Sequence, residues 1–66
     1  MKGETKMQKT LLNEIIHADG SVARFWMIEI DTVEKYEIVY CVFNRGQEVC
    51  KVTSEKVAKE YWAKVA

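Results

Sequence analysis

The clearest apolar pattern lies in the middle of the chain. RFWMIEI and YEIVYCVF are dense in aromatic and β-branched residues and are bounded by polar turns, which predicts strands over roughly Ala23–Asp31 and Tyr36–Phe43. A third strand, roughly Gln47–Val52, follows the turn NRG. At the C-terminus the period changes. In TSEKVAKEYWAKVA the positions Val57, Ala58, Tyr61, Trp62 and Val65 form one helical stripe. Thr53 or Ser54 serves as N-cap, and Glu55–Lys59 and Glu60–Lys64 are i,i+4 ion pairs in the favourable order. With Thr53 as cap, Val52 and Val57 form a hydrophobic staple. Such a short helix is marginal alone in water, so the pattern calls for a sheet beneath it.

TLLNEIIHADG supports two readings. Leu11, Leu12, Ile15 and Ile16 fit a helical stripe. Ala18-Asp19-Gly20 equally fits a three-residue hairpin loop, a type I turn closed by glycine in the left-handed region, and Asn44-Arg45-Gly46 has the same form. As a hairpin, the segment sets Ile16 opposite Val22, Glu14 opposite Arg24 and Leu12 opposite Trp26, a matched series of apolar and ionic pairs. The fold is therefore α+β: a four-stranded antiparallel meander with a C-terminal helix on one face, or three strands between two helices if residues 9–18 are helical. Residues 1–8 read as a flexible tail and 9–66 as one domain.

Strand parity assigns the faces, because a one-residue slip turns every side chain over. Pairing Ile30 with Tyr36 aligns Ile28 with Ile38 and Trp26 with Tyr40, and sets Asp31 beside Lys35. A three-residue loop at 44–46 sets Tyr40 opposite Cys50, Ile38 opposite Val52 and Val42 opposite Glu48. The predicted core face then carries Leu12, Ile16, Val22, Trp26, Ile28 and Ile30 from the first hairpin. Tyr36, Ile38, Tyr40, Val42, Cys50 and Val52 complete it under the Val57/Tyr61/Trp62 stripe. The second face carries Phe25, Met27, Val39, Cys41, Phe43 and Val49, with Leu11, Ile15 and Ala23, and beyond them the acidic Glu29, Asp31 and Glu37. In the strand reading this apolar face is open and marks an interface, with another copy or with a different protein.

Composition narrows the chemistry. At 66 residues the chain buries only about 60% of its unfolded surface, so self-association would offset a small core. Ten basic residues balance ten acidic ones, without the basic stripe of a phosphate binder. Phe25 and Phe43 would suit base stacking, but the acidic trio on their face repels phosphate, so single-stranded nucleic acid ranks behind protein partners. Cys41 and Cys50 fall on opposite faces and cannot form a disulfide; they read as reduced, packed thiols. Two cysteines and one histidine do not make a zinc site, and the Glu29/Glu37 pair does not specify a cation. His17 reads as a solvated turn residue that no second group orients for catalysis. No phosphate loop or hydrolase motif occurs, so no cofactor, no metal and no enzymatic activity are expected. No apolar run reaches membrane length and no secretory leader is visible, which sets the expectation of a cytoplasmic protein. The reading that follows is a small non-enzymatic regulatory protein, inhibitor- or adaptor-like, that forms homo-oligomers and binds another protein. A different class of function, capture of a small anionic ligand between subunits, would use Arg24 and Arg45.

Overall fold

The computed structural model describes residues 5–66. The chain runs β1 (Lys6–Ile16), β2 (Val22–Asp31), β3 (Tyr36–Asn44), β4 (Gln47–Val52) and α1 (Glu55–Val65). The strands form one antiparallel sheet in the order β1-β2-β3-β4, so the fold is an α+β meander with a C-terminal helix against it. TLLNEIIHADG is thus strand and turn, not helix. β1 starts at Lys6, inside the segment expected to be a tail; residues 1–4 of that segment lie outside the described residues.

The turns explain the pairing. Gly20 takes φ +90 and donates to His17 O (2.9 Å), while His17 N–H donates to Ser21 O (2.8 Å), closing the three-residue loop with Ile16 opposite Val22 and Glu14 opposite Arg24. A β-bulge at Leu12 then shifts the ladder, so Trp26 faces Leu11 and not Leu12. The second turn departs further from expectation. Thr32 N–H donates to Lys35 O (2.8 Å), and Lys35 N–H donates to the Thr32 hydroxyl oxygen (3.1 Å). The threonine side chain stands in for a backbone acceptor, leaving only Val33-Glu34 at the tip. Asp31 therefore pairs with Tyr36, Ile28 with Val39 and Trp26 with Cys41, one residue away from the expected register. The expected Asp31–Lys35 contact gives way to a Lys35–Glu37 ion pair at 3.0 Å.

That slip turns over β2 and the part of β1 beyond the bulge, while Leu11, opposite Trp26, stays on the open face where it was expected. Phe25 faces Val42 on the helix side, and Trp26, Ile28 and Ile30 point to the other side. Phe25, Val42, Cys50 and Ala58 make the core, with Tyr40, Val52, Trp62 and Val65 packed around it. Leu12, Ile16 and Tyr36, expected inside, are 42%, 71% and 54% exposed. Cys50 and Val52 of β4 keep their expected face by a different route, while Glu48, expected opposite Val42, lies opposite Phe43 on the other side. The third turn has two residues, Arg45 (φ 56) and Gly46 (φ 80), the type I′ conformation, with Asn44 opposite Gln47. One extra residue on β4, Val49, restores the parity, so Cys50 faces Val42 and Val52 faces Tyr40.

Ser54, not Thr53, caps α1 by accepting from Val57 N–H at 3.2 Å, and Glu55–Lys59 closes at 3.1 Å. The buried stripe is Ala58, Trp62 and Val65; Val57 and Tyr61 are each 37% exposed. The helix rests on β3 and β4, and Trp62 stacks on Phe25 with centroids 5.7 Å apart and planes at 22°.

Phe25→Ala is expected to cost about 3–5 kcal/mol, comparable to the whole stability of a domain this size. Ser54→Ala should cost about 1 kcal/mol. Urea titration followed by tryptophan fluorescence and circular dichroism checks both; a folded, barely shifted Phe25→Ala would show that the Phe25–Trp62 stack does not hold the helix down.

Candidate binding face

β2 runs through the middle of the uncovered face. Its alternate residues Val22, Arg24, Trp26, Ile28 and Ile30 all line one open trough of ≈ 710 Å³. Eight residue steps at about 3.4 Å each make this line about 27 Å long. Val39, Cys41 and Phe43 of β3 form the rest of the floor, with Val39 and Cys41 only 7% and 2% exposed. The outer strands supply charge. Lys9 of β1 sits opposite Ile28, Lys51 of β4 opposite Cys41, and Glu48 opposite Phe43, and all three line the trough. Among the described residues, no carboxylate lies within 4.0 Å of Lys9 or Lys51.

The arginines are differently placed. Arg24 Nε donates to Glu14 Oε2 at 2.6 Å across the β1–β2 ladder. Arg45 reaches from the β3–β4 turn to Asp19 on the β1–β2 turn, and its backbone N–H donates to Val22 O at 3.0 Å. These long-range contacts offset the cost of a left-handed conformation at a residue with a side chain. His17 Nε2 meets Asn44 Oδ1 at 2.8 Å at the same end, so His17 joins the two hairpins instead of standing free in solvent. Ser21 donates to Asp19 from its hydroxyl (2.6 Å) and its backbone N–H (2.9 Å). These two bonds and then the Arg45 guanidinium hold the Asp19 carboxyl well below the usual carboxylate range.

The expected interface set is therefore divided. Val39, Cys41 and Phe43 are on the open face as expected. Phe25 is buried under the helix and Met27 lies on the same side, opposite Tyr40, which removes both from the open face; Val49 occupies the β4 bulge. Trp26, Ile28, Ile30 and Val22 take their place, and the signal for them was the same apolar run read with the opposite parity. The acidic trio also separates. Glu29 and Asp31 lie opposite Ile38 and Tyr36 on the helix side, and Glu37 opposite Ile30 on the open side. Glu29 is not a cross-strand neighbour of Glu37; it accepts a hydrogen bond from the Tyr36 hydroxyl and pushes that phenol's pKa up. The Phe25/Phe43 stacking pair does not form a platform, since the two rings are on opposite sides.

Both cysteines are free thiols, Cys41 in the trough floor and Cys50 in the core, and burial pushes both upward in pKa. Among the described residues no group of three or more His, Cys, Asp or Glu side chains is placed to hold a metal ion, and no helix is long and apolar enough to cross a membrane. Compared with known proteins, the chain matches no family model, and no curated protein or solved structure matches it significantly.

Two outcomes follow from this geometry. Iodoacetamide at pH 8 should modify Cys41 and Cys50 slowly in the folded protein and fast in denaturant, read by intact mass; rapid native labelling would contradict their burial. Asp19 contributes stability that is present above its ordinary pKa of 3.8 and is lost as pH falls towards its lowered folded value. Asp19→Asn should therefore melt below the wild type at pH 7, and the gap should narrow as the pH falls below 3.8.

Proposed function

We propose that the protein is a non-enzymatic, regulatory binding protein that holds a segment of another protein across the open face of its sheet. The observation that carries this reading is an apolar floor on the sheet face away from the helix, with Trp26, Ile28 and Phe43 half-buried around the buried Val39 and Cys41. A sheet apolar on both faces reaches a stable layer arrangement when something covers the second one. At about 27 Å the trough suits a helix or extended segment better than a compact molecule. Lys9 and Lys51, which have no carboxylate partner among the described residues, favour a segment with apolar side chains flanked by Asp or Glu. Covering a partner in this way is how a chain of this size would act as an inhibitor or adaptor. Two packed thiols that do not pair suit a reducing compartment such as the cytoplasm.

Capture of a small anionic ligand is the second reading. It is favoured by a volume within the range of small-molecule sites, roughly 300–1,000 Å³, and by Arg24 and Arg45 on the lining. It ranks lower because both arginines already face carboxylates.

Affinity capture from the native host, compared between wild type, Phe43→Glu and Lys51→Glu, tests the proposal. One partner in stoichiometric amount is expected, lost with Phe43→Glu and weakened about tenfold with Lys51→Glu or raised salt. Capture indifferent to Phe43→Glu would remove the open face from the interface. A stoichiometric small molecule in native mass spectra would favour the ligand reading.

A further inference from the structure

Among the described residues β1 pairs with β2 alone, so its other edge has no strand partner among them. It is 11 residues long and exposed over most of its length, with Met7 59%, Leu11 42%, Leu12 42% and Ile16 71% exposed. A long apolar edge is a template for a further strand. We infer that this edge pairs antiparallel with the same edge of a second copy, about a two-fold axis passing between Leu11 and Leu12, joining two sheets into one. The inference concerns the β1 edge and stands whether or not the trough takes a partner.

The bulge at Leu12 restricts the register. Met7, Lys9 and Leu11 face the trough side, because they lie opposite Ile30, Ile28 and Trp26. Beyond the bulge the parity reverses, and Glu14 and Ile16, opposite Arg24 and Val22, face the trough side. Residues directly opposite in a ladder must face the same side. When the strand pairs with its own copy along its whole length, the two bulges must therefore lie close to each other. A regular register would set trough-side residues against helix-side ones along part of the strand. Matching the bulges sets Leu11 opposite Leu12 of the second copy, and the remaining pairs follow: Thr10 with Asn13, Lys9 with Glu14, Gln8 with Ile15, Met7 with Ile16.

The chemistry of the pairs favours this register over the neighbouring one, which would set Lys9 opposite Ile16 and Leu11 opposite Glu14. The four exposed apolar side chains of β1 pair only with one another. Lys9 gains a carboxylate, and Glu14, which bonds Arg24 through Oε2, is flanked by two cations. Each contact occurs twice by symmetry. Backbone donors and acceptors alternate in step with side chains, so the register that matches faces also matches hydrogen bonds. Glu14 N–H, which bonds Asn13 Oδ1 at 2.8 Å in the single chain, passes to a carbonyl of the second copy. The axis is perpendicular to the sheet, which puts both helices on one side and both troughs on the other.

Sedimentation equilibrium tests this, with circular dichroism as the control for folding. The wild type should show twice the chain mass of 7.7 kDa. Lys9→Glu and Glu14→Lys, each alone, set like charges opposite at two places and should weaken the dimer by about tenfold or more. Mixing the two variants restores opposite charges at both places, so the mixture should dimerise where neither variant does. Phe43→Glu, on the open face, should leave the mass unchanged. A monomeric wild type overturns the inference. So does a dimer insensitive to both charge reversals, a mixture that does not recover, or a dimer broken by Phe43→Glu, which would place the contact on the open face.

Discussion

The described structure has one helix for a four-stranded sheet, and a sheet has two faces. α1 spans 11 residues and depends on the sheet for its own stability. Phe25 and Trp62 bring it down over β3 and β4, so the best-packed part of the molecule is one side of one half of the sheet. The trough and the bare β1 edge are two results of the same shortage of cover. Among the described residues no element besides α1 is left to cover either. The apolar side chains of β1 and β2 that point away from the helix are the surface on which a binding role and self-association would rest.

The strands, the first hairpin, the place of the third turn and the helix were legible in the sequence because each has a local cause. Alternating apolar residues mark strands, Gly20 and Gly46 permit tight turns, and EKVAKEYWAKV repeats at helical spacing. The Glu14–Arg24 pair was recoverable by counting back from the ADG loop. What escaped was parity at the middle turn. There the Thr32 hydroxyl replaces a backbone carbonyl, and no residue preference announces that substitution. One residue of slip put Phe25 in the core where Trp26 was expected, and so took Phe25 and Met27 out of the predicted interface. The cysteines were placed correctly because two departures cancel: a shorter turn at Arg45-Gly46 and an added residue at Val49. β-bulges are the least legible of these features, since the extra residue in LLN or EVC looks like any other.

The bulges also show how parity can serve a sheet. Ile15 and Ile16 face opposite sides from those that an unbroken alternation from Met7 would give them. The change lets Ile15 sit opposite the fully buried Ala23 and leaves Glu14 free to meet Arg24. Val49 does the same for Cys50 beneath the helix. Both insertions lie in the outer strands, where an unpaired backbone group can still reach solvent.

The two hairpin tips at one end of the sheet are fastened by Asp19–Arg45, His17–Asn44 and the Arg45–Val22 backbone bond. At the opposite end the Thr32–Lys35 turn is held by its own hydrogen bonds, with Val33 74% exposed. The hairpins are therefore cross-linked to each other at one end of the sheet only, and the trough runs from that cross-linked end at Val22 to the end at Ile30 where the turn is tied only to itself.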